Sequence, residues 1–365
     1  VIPGPVEAVH KSRPLARGPT LAVACVSPTG VDNARAGVRH SHLMPYRCRL
    51  GIALGWIASA LYATRAYLLD RPLFTSTILP AIPRPARWAL RKAYLAPADL
   101  FEAAAGRRDA MVPPRSKMFV GSVDDFEASG VLLVRRLLDV AGLTPGSSVL
   151  DIGCGIGRLA VALSSHLSPQ ARYEGLDIVP TGIEWCTEKI TPRYPNFRFT
   201  LADVFNGEYN PHGRTAPVDY RLPFPDAAFD IVVLTSVFTH MLPAEKEHYV
   251  DEIARVLKPG GRCFATYLLL NSHSLRLMEA GSSGTRFKHR VGPCMVVDSK
   301  VPELSVAYDE SYVLDVFERR GLSTHGGVYY GSWSGGERNG RASGLSQDLV
   351  LGVRRGGARS ASRPG

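Results

Sequence analysis

The run from Val149 to Ala160, VLDIGCGIGRLA, constrains this chain more than any other stretch. An apolar entry, an acid at Asp151 and glycines at Gly153, Gly155 and Gly157 spell a short strand that turns sharply into a helix. Glycine, lacking a Cβ, tolerates unusual backbone angles and lets a ligand lie directly on the main chain, so such a turn can seat a nucleotide-sized molecule. A dinucleotide fingerprint reads G-x-G-x-x-G and aims a helix N-terminus at a pyrophosphate. Here the spacing is G-x-G-x-G, with an acid two residues before the first glycine. A carboxylate at that point repels a pyrophosphate and attracts a cationic amino acid. The pattern suits a ligand that carries an ammonium and a sulfonium.

Alternating strand and helix signals follow. Strands are read at 148–152, 172–178, 197–204, 229–235 and 262–270, with helices at 158–167, 182–190 and 244–257, the last stopped by Lys258-Pro259-Gly260-Gly261. Alternation of this kind makes a parallel sheet covered on both faces. Ahead of it, Ser122, Asp124 and Asp125 offer caps for a helix ending near Gly142. Its apolar stripe is read as Phe126, Val131, Leu132, Val134, Leu137 and Leu138. After Asn271 comes a polar insertion of about 30 residues, too long for an ordinary connection and read as a lid or substrate element. A helix at 310–320 and strands at 323–330 and 347–354 complete the pattern.

At the glycine run the chain resembles the class I S-adenosylmethionine-dependent methyltransferases, whose first motif is an acid followed by alternating glycines. Asp151, Gly153, Gly155 and Gly157 match it, and the resemblance extends over roughly 124–353. It implies an α/β fold, a Rossmann-like, mostly parallel seven-stranded sheet with helices on both faces. It also implies S-adenosyl-L-methionine as cofactor. In open sheets a ligand crosses the carboxyl ends of the strands at the switch point, so acids there are the ones to examine. Asp151 would hold the methionine ammonium. Asp177, ending the second strand, would take both ribose hydroxyls, or else cap the next helix. Asp203, ending the third, would accept from the adenine amino group, with Ile178 and Val204 sandwiching the ring. Backbone carbonyls at Thr235 or Ser236 would also bind the ammonium. His240 is the best-placed base by sequence, although a packing or capping histidine fits the position as well. Trp185 and Cys154 are read as a core residue and a small turn residue.

The connection at 205–225 carries Tyr209, His212, Arg214, Tyr220 and Arg221 and borders the acceptor side, where Arg221 could hold an anionic group. Tyr308, Tyr312 and Tyr330 are candidates for the same opening.

The net charge of +10 would fit nucleic acid, but its location argues otherwise. Residues 1–115 hold 16 Lys/Arg against 6 Asp/Glu and the tail from Arg354 holds 4 against none, which leaves 116–353 net −4. No nucleic-acid partner is expected. The six cysteines are scattered, with no C-x-x-C and no Cys/His cluster, so no metal site is expected and a reducing, cytoplasmic compartment is.

Residues 1–45 are read as disordered, and Met44 as a candidate for the true start, with Val1 an alternative start codon or a mis-called one. Residues 46–115 are read as an N-terminal helical arm, 116–353 as the methyltransferase domain with insertions near 205–225 and 271–305, and 354–365 as a disordered basic tail. The apolar run 50–63 is too short to span a bilayer and is open to three readings: a packed helix, an interfacial membrane contact or a secretory signal, for which Arg47, Arg49 and the small residues at 58–60 have the shape.

The expected activity is methyl transfer to a small-molecule or lipid-linked acceptor, at oxygen. Alternatives are a non-catalytic binding module and lipid C-methylation or cyclopropanation at a membrane. A nicotinamide dehydrogenase lacks its phosphate turn here, and an RNA methyltransferase lacks a proline-bearing motif after the fourth strand.

Overall fold

A computed structural model describes residues 84–106, 108–121, 125–335 and 340–356, with Thr64, Arg71 and Ile82. The readings for 1–45, the 50–63 run, caps Ser122 and Asp124, and the tail beyond 356 lie outside the described residues. The chain divides into two compact units, with a boundary in sequence between Arg108 and Asp109. The first contains α1 (Arg84–Ala104), a single 21-residue helix that runs through Pro97. The helical reading of this arm holds for these residues, with Pro97 accommodated inside the helix. Arg108 returns to pair with Asp99 at 3.3 Å. No helix among the described residues is long and apolar enough to cross a membrane.

The second unit opens with α2 (Phe126–Ala141), which ends at Gly142 in the left-handed conformation (φ 60°), its N–H donating to Leu137 O. The buried face is Phe126, Gly130, Leu133, Val134, Leu137 and Ala141. Val131 and Leu138, read as part of the stripe, are each 44% exposed. The stripe is rotated because Gly130 and Ala141, small residues that a count of large apolar side chains passes over, allow close approach. An added Cβ on Gly130 would lie 2.7 Å from Arg158 O.

The main sheet is built from β1 (Val149–Ile152), β2 (Tyr173–Asp177), β3 (Phe197–Leu201), β4 (Phe229–Leu234), β5 (Leu257–Tyr267), β10 (Leu322–Ser323) and β12 (Asp348–Arg354). Their spatial order is β10-β12-β5-β4-β1-β2-β3. A short β11 (Val328–Tyr329) also pairs with β12, giving eight strands where seven were expected. The pairs among β1 to β5 are parallel, and β12 runs antiparallel to β5. The strand read at 323–330 is two short strands, β10 and β11, interrupted by a 3-10 turn at Thr324–Gly326.

Helices α3 (Arg158–Leu163), α4 (Pro180–Lys189), α5 (Pro243–Val256) and α7 (Glu310–Arg319) supply the crossovers and covers. Every residue of β1 and β2 is buried, as expected of central parallel strands. Alternate side chains feed two cores. Leu150, Ile152, Val232 and Leu234 join Val250 and Ile253 of α5 with Val316 and Phe317 of α7. Val149, Ile231 and Val233 join Val134 and Leu137 of α2 with Leu159 of α3 and Trp185 of α4.

The 271–305 insertion is ordered. The chain leaves β5 through β6 (Leu269–Leu270), forms α6 (Ser272–Glu279), and builds β7 (His289–Val291), β8 (Cys294–Val296) and β9 (Val306–Asp309). These strands make a second sheet ordered β6-β9-β8-β7. A single strand to Leu270 was expected; β6 instead breaks away to pair with β9. Asp348, fully buried, holds this departure in place by accepting from Leu269 N (2.8 Å), Gly331 N (2.8 Å) and Trp333 Nε1 (2.6 Å).

Tyr308 and Tyr312 do not line an opening. Tyr308 is fully buried, donates to Met241 O (2.6 Å) and stacks on Tyr312. Beside both rings lies Lys246 of α5, also fully buried, its Nζ without a hydrogen-bond partner and 3.9 Å and 4.8 Å from the Tyr312 and Tyr308 ring centres. Burial pushes this ammonium down to about 7, against weaker opposing influences from Glu247, Cys294 and Asp315. An unfolded lysine keeps its ordinary value, so between about 7 and 10.5 the unfolded chain binds more protons and stability rises with pH. Thermal melts from pH 6 to 9.5 should show that slope in the native chain, and Lys246→Met should flatten it and raise the melting temperature most at pH 7 and below.

Candidate functional site

Strand β1 has β2 on one side and β4 on the other, so the connections reverse direction between β1 and β4. The carboxyl ends of these strands form the crevice where open sheets bind ligands. The glycine turn leaves β1 at this point with φ of 75°, 59° and 83° at Gly153, Gly155 and Gly157. A Cβ on Gly153 would sit 2.3 Å from Val237 Cγ2, and one on Gly157 would sit 2.6 Å from Ile190 Cδ1 and 2.8 Å from Cys186 Sγ. Left-handed backbone and close approach together demand glycine at both positions.

The turn is pinned by β2. Gly153 N and Cys154 N both donate to Leu176 O (2.7 and 3.1 Å). Gly155 N donates to Asp177 Oδ2 (2.7 Å), while Asp177 Oδ1 accepts from Val179 N (2.8 Å). Asp177 therefore braces the turn through one oxygen and Val179, the residue that precedes α4, through the other; α4 itself has no side-chain cap, so the capping reading is not met. Burial raises its carboxyl, and the backbone donors of Val179, Gly155 and Ile178 oppose that rise. Ile178 is half-buried, whereas Val204 is 2% exposed with its side chain in the core beside Leu222.

Asp151 lies beneath the turn, 1% exposed. Its Oδ2 accepts from the Tyr173 hydroxyl (2.7 Å) and its Oδ1 has no hydrogen-bond partner. Burial pushes this carboxyl up to about 7, with Tyr173 opposing and the Asp177 charge adding to the rise. A buried, unpartnered carboxylate oxygen beside a glycine cradle fits a cationic amino-acid group. Cys154 is buried, its thiol pushed well above the ordinary range by burial, which matches a turn residue and not a nucleophile. Trp185 is 5% exposed in the core.

Asp203 differs from the other two acids in being open to solvent. Arg214 donates to it through its backbone N (3.1 Å) and through Nε (2.5 Å), engaging both oxygens and holding the carboxyl below its ordinary range.

Past β4, Thr235 is half-buried and Ser236 exposed, the latter at φ 61°, one of two non-glycine residues with positive φ among the described residues. Val237, packed on Gly153, leads into a 3-10 turn that carries His240. His240 Nδ1 lies 2.8 Å from Glu303 O. A carbonyl only accepts, so Nδ1 carries the proton and Nε2 keeps the lone pair. Burial lowers the basicity of the ring, against the Glu303 and Leu304 carbonyls.

Sequence reasoning passed over the residues that hold this histidine. Asn206 Nδ2 donates to His240 O (3.0 Å), while Asn206 Oδ1 accepts from Glu208 N and Tyr209 N (3.0 Å each). This Asx turn brings the Tyr209 ring edge-on to His240, 5.1 Å between centres. The Asn-Gly pair at 206–207 was the available signal, since asparagine bonds its own backbone two residues on. Arg221 and His212 are exposed, and Tyr330 donates to Glu310 Oε1 (2.9 Å).

If Asp203 receives an adenine amino group, Arg214 competes for it. Asp203→Ala should weaken S-adenosylhomocysteine binding in calorimetry, and Arg214→Ala should strengthen it by up to about fivefold, the scale of an exposed ion pair. Asp151 must be ionised to attract an ammonium, so affinity should rise from pH 5.5 and level off above about 7, and Asp151→Asn should remove this dependence.

Residues 150–265 match the family model described as a methyltransferase domain. The 2-methyl-6-phytyl-1,4-hydroquinone methyltransferase of Synechocystis is 31% identical over 149 residues, 41% of this chain and 39% of that one. The 27-O-demethylrifamycin SV methyltransferase of Amycolatopsis mediterranei is 34% identical over 157 residues, 42% and 52%. The demethylmenaquinone methyltransferase of Thermus thermophilus is 33% identical over 128 residues, 35% and 50%. The chain thus spans about half the length, or less, of these curated relatives. The parallel sheet and the glycine turn agree with this match, and residues 150–265 are thus similar to the methyltransferase domain of class I S-adenosylmethionine-dependent enzymes.

Proposed function

We propose that the chain transfers a methyl group from S-adenosyl-L-methionine to oxygen on a small-molecule or lipid-linked acceptor. The observation that carries this reading is the switch-point crevice, where the glycine turn and the unpartnered Asp151 Oδ1 belong to β1 and the oriented His240 ring follows the neighbouring strand β4. Relatives named for hydroquinone, rifamycin and phthiotriol dimycocerosate acceptors support small or lipid-linked molecules as the acceptor class.

The cofactor supplies a methyl on a sulfonium, open to in-line displacement. The glycine turn would carry its amino-acid and ribose portions, with Asp151 and the Thr235 and Ser236 carbonyls toward the ammonium, Asp177 toward the ribose, and Asp203 toward the adenine. Ile178 and Val204 follow the latter two acids. Positioning and exclusion of water are the main contributions of the protein to such a displacement. An oxygen nucleophile gains reactivity as its proton leaves. His240, neutral at neutral pH because burial lowers its basicity, would take that proton on Nε2 while the Glu303 carbonyl fixes the tautomer. Tyr209, edge-on to the ring, would limit its rotation.

The test is methyl transfer from labelled S-adenosylmethionine to a panel of phenols, hydroquinones and hydroxylated lipids, with mass spectrometry of the products locating the methyl on oxygen or carbon. With an acceptor in hand, kcat/KM should rise with pH through a value below 6.5 and stay level above it. His240→Ala should lower kcat about a hundredfold, at the low end of general-base contributions, and abolish the rise. Full turnover by that variant would remove His240 from the chemistry. Cofactor binding without transfer to any acceptor would favour a binding module.

A further inference from the structure

Ser236 stands immediately beyond β4 in a left-handed backbone conformation, φ 61°, that costs an L-residue about 1 kcal/mol or more. It is exposed, so no packing imposes the strain. Three hydrogen bonds do. Ser236 N donates to Thr266 Oγ1 (2.8 Å), Thr266 Oγ1 donates to Gln347 Oε1 (2.6 Å), and Ser236 Oγ donates to the same Gln347 oxygen (3.1 Å). Two hydroxyls, one from the turn after β4 and one from β5, thus converge on one side-chain oxygen just ahead of β12. That strand is antiparallel to β5, so its first residues arrive at the carboxyl edge of the sheet. The next residue, Asp348, is the fully buried anchor that holds Leu269, Gly331 and Trp333. Gln347 is therefore delivered to the knot by a fixed piece of backbone.

We infer that Gln347 is a positioning residue for the amino-acid half of the bound cofactor, acting through Thr266 and Ser236 to hold the Thr235–Ser236 turn with its carbonyls toward the methionine end of the crevice. The inference rests on the cofactor reading above. Without the knot, Ser236 relaxes to an ordinary φ, which rotates the Thr235–Ser236 peptide and loosens Val237 from its seat on Gly153. On that reading the adenosine half would be held by Asp177 and Asp203, beyond β2 and β3, and not by this turn.

That separation defines the experiment. The full chain, Gln347→Leu and Thr266→Val are titrated by calorimetry with S-adenosylhomocysteine and with 5′-methylthioadenosine, which has no amino-acid group. Thr266→Val is nearly isosteric at a buried site and keeps the test available if the first variant folds poorly. In each variant S-adenosylhomocysteine should bind about tenfold more weakly, the scale of one or two lost hydrogen bonds. Affinity for 5′-methylthioadenosine should stay within about twofold, and the double variant should be no weaker than either single one, because a single knot is cut. Unchanged S-adenosylhomocysteine affinity in both variants would overturn the inference, as would parallel weakening of the two ligands, the mark of a general structural role. A native chain that binds neither ligand overturns the cofactor reading itself, and this inference with it.

Discussion

The second domain depends on how the turn after β1 is tied to the end of β2. Leu176 O takes two amides of the turn and Asp177 Oδ2 takes a third, all within 3.1 Å. A glycine-rich segment would otherwise sample many conformations, since each glycine loses more freedom on ordering than any other residue. The parallel register that places Ile152 beside Leu176 brings donors and acceptors together without any contribution from a distant loop. Helix α4 then closes on the turn from outside, so tightly that a Cβ on Gly182 would lie 2.3 Å from Gly155 O.

This tie also explains the electrostatics. Asp151 and Asp177 are both buried within the same few ångströms of backbone, yet they are satisfied differently. Asp177 has backbone donors on both oxygens; Asp151 has one phenolic donor and one empty oxygen. A buried carboxylate with a vacant acceptor is costly, and its rise to about 7 expresses that cost. Natural chains retain such costs mainly where a ligand removes them.

What could be read from the sequence follows from range. The strand-turn-helix at 149–160 and the acids at 177 and 203 are local patterns, each decided by a few neighbours. The contacts that complete the crevice are not local. Gln347 meets Ser236 across 111 positions and Thr266 across 81, and Glu303 meets His240 across 63. Nothing in the composition around Gln347 marks it. The second sheet was equally hidden, because β7 and β8 have three residues each and β7 is exposed throughout, leaving no alternation to detect. The rotated stripe of α2 has a related cause, since its closest contact is made by Gly130, a residue with no side chain to count.

The two insertions that interrupt the alternating pattern meet at one imidazole. Asn206, in the first, binds the backbone of His240, and Glu303, in the second, binds its ring. The glycine-turn side of the crevice, by contrast, is assembled from strand ends and short turns common to the whole sheet. Change in either insertion would therefore alter what surrounds His240 while leaving the hydrogen bonds from Leu176 and Asp177 to the turn intact. On the proposed reading this division would let the insertions reshape the acceptor side under one methyl donor, with the 235–240 segment and the Arg214–Asp203 pair as the points where the two sides meet.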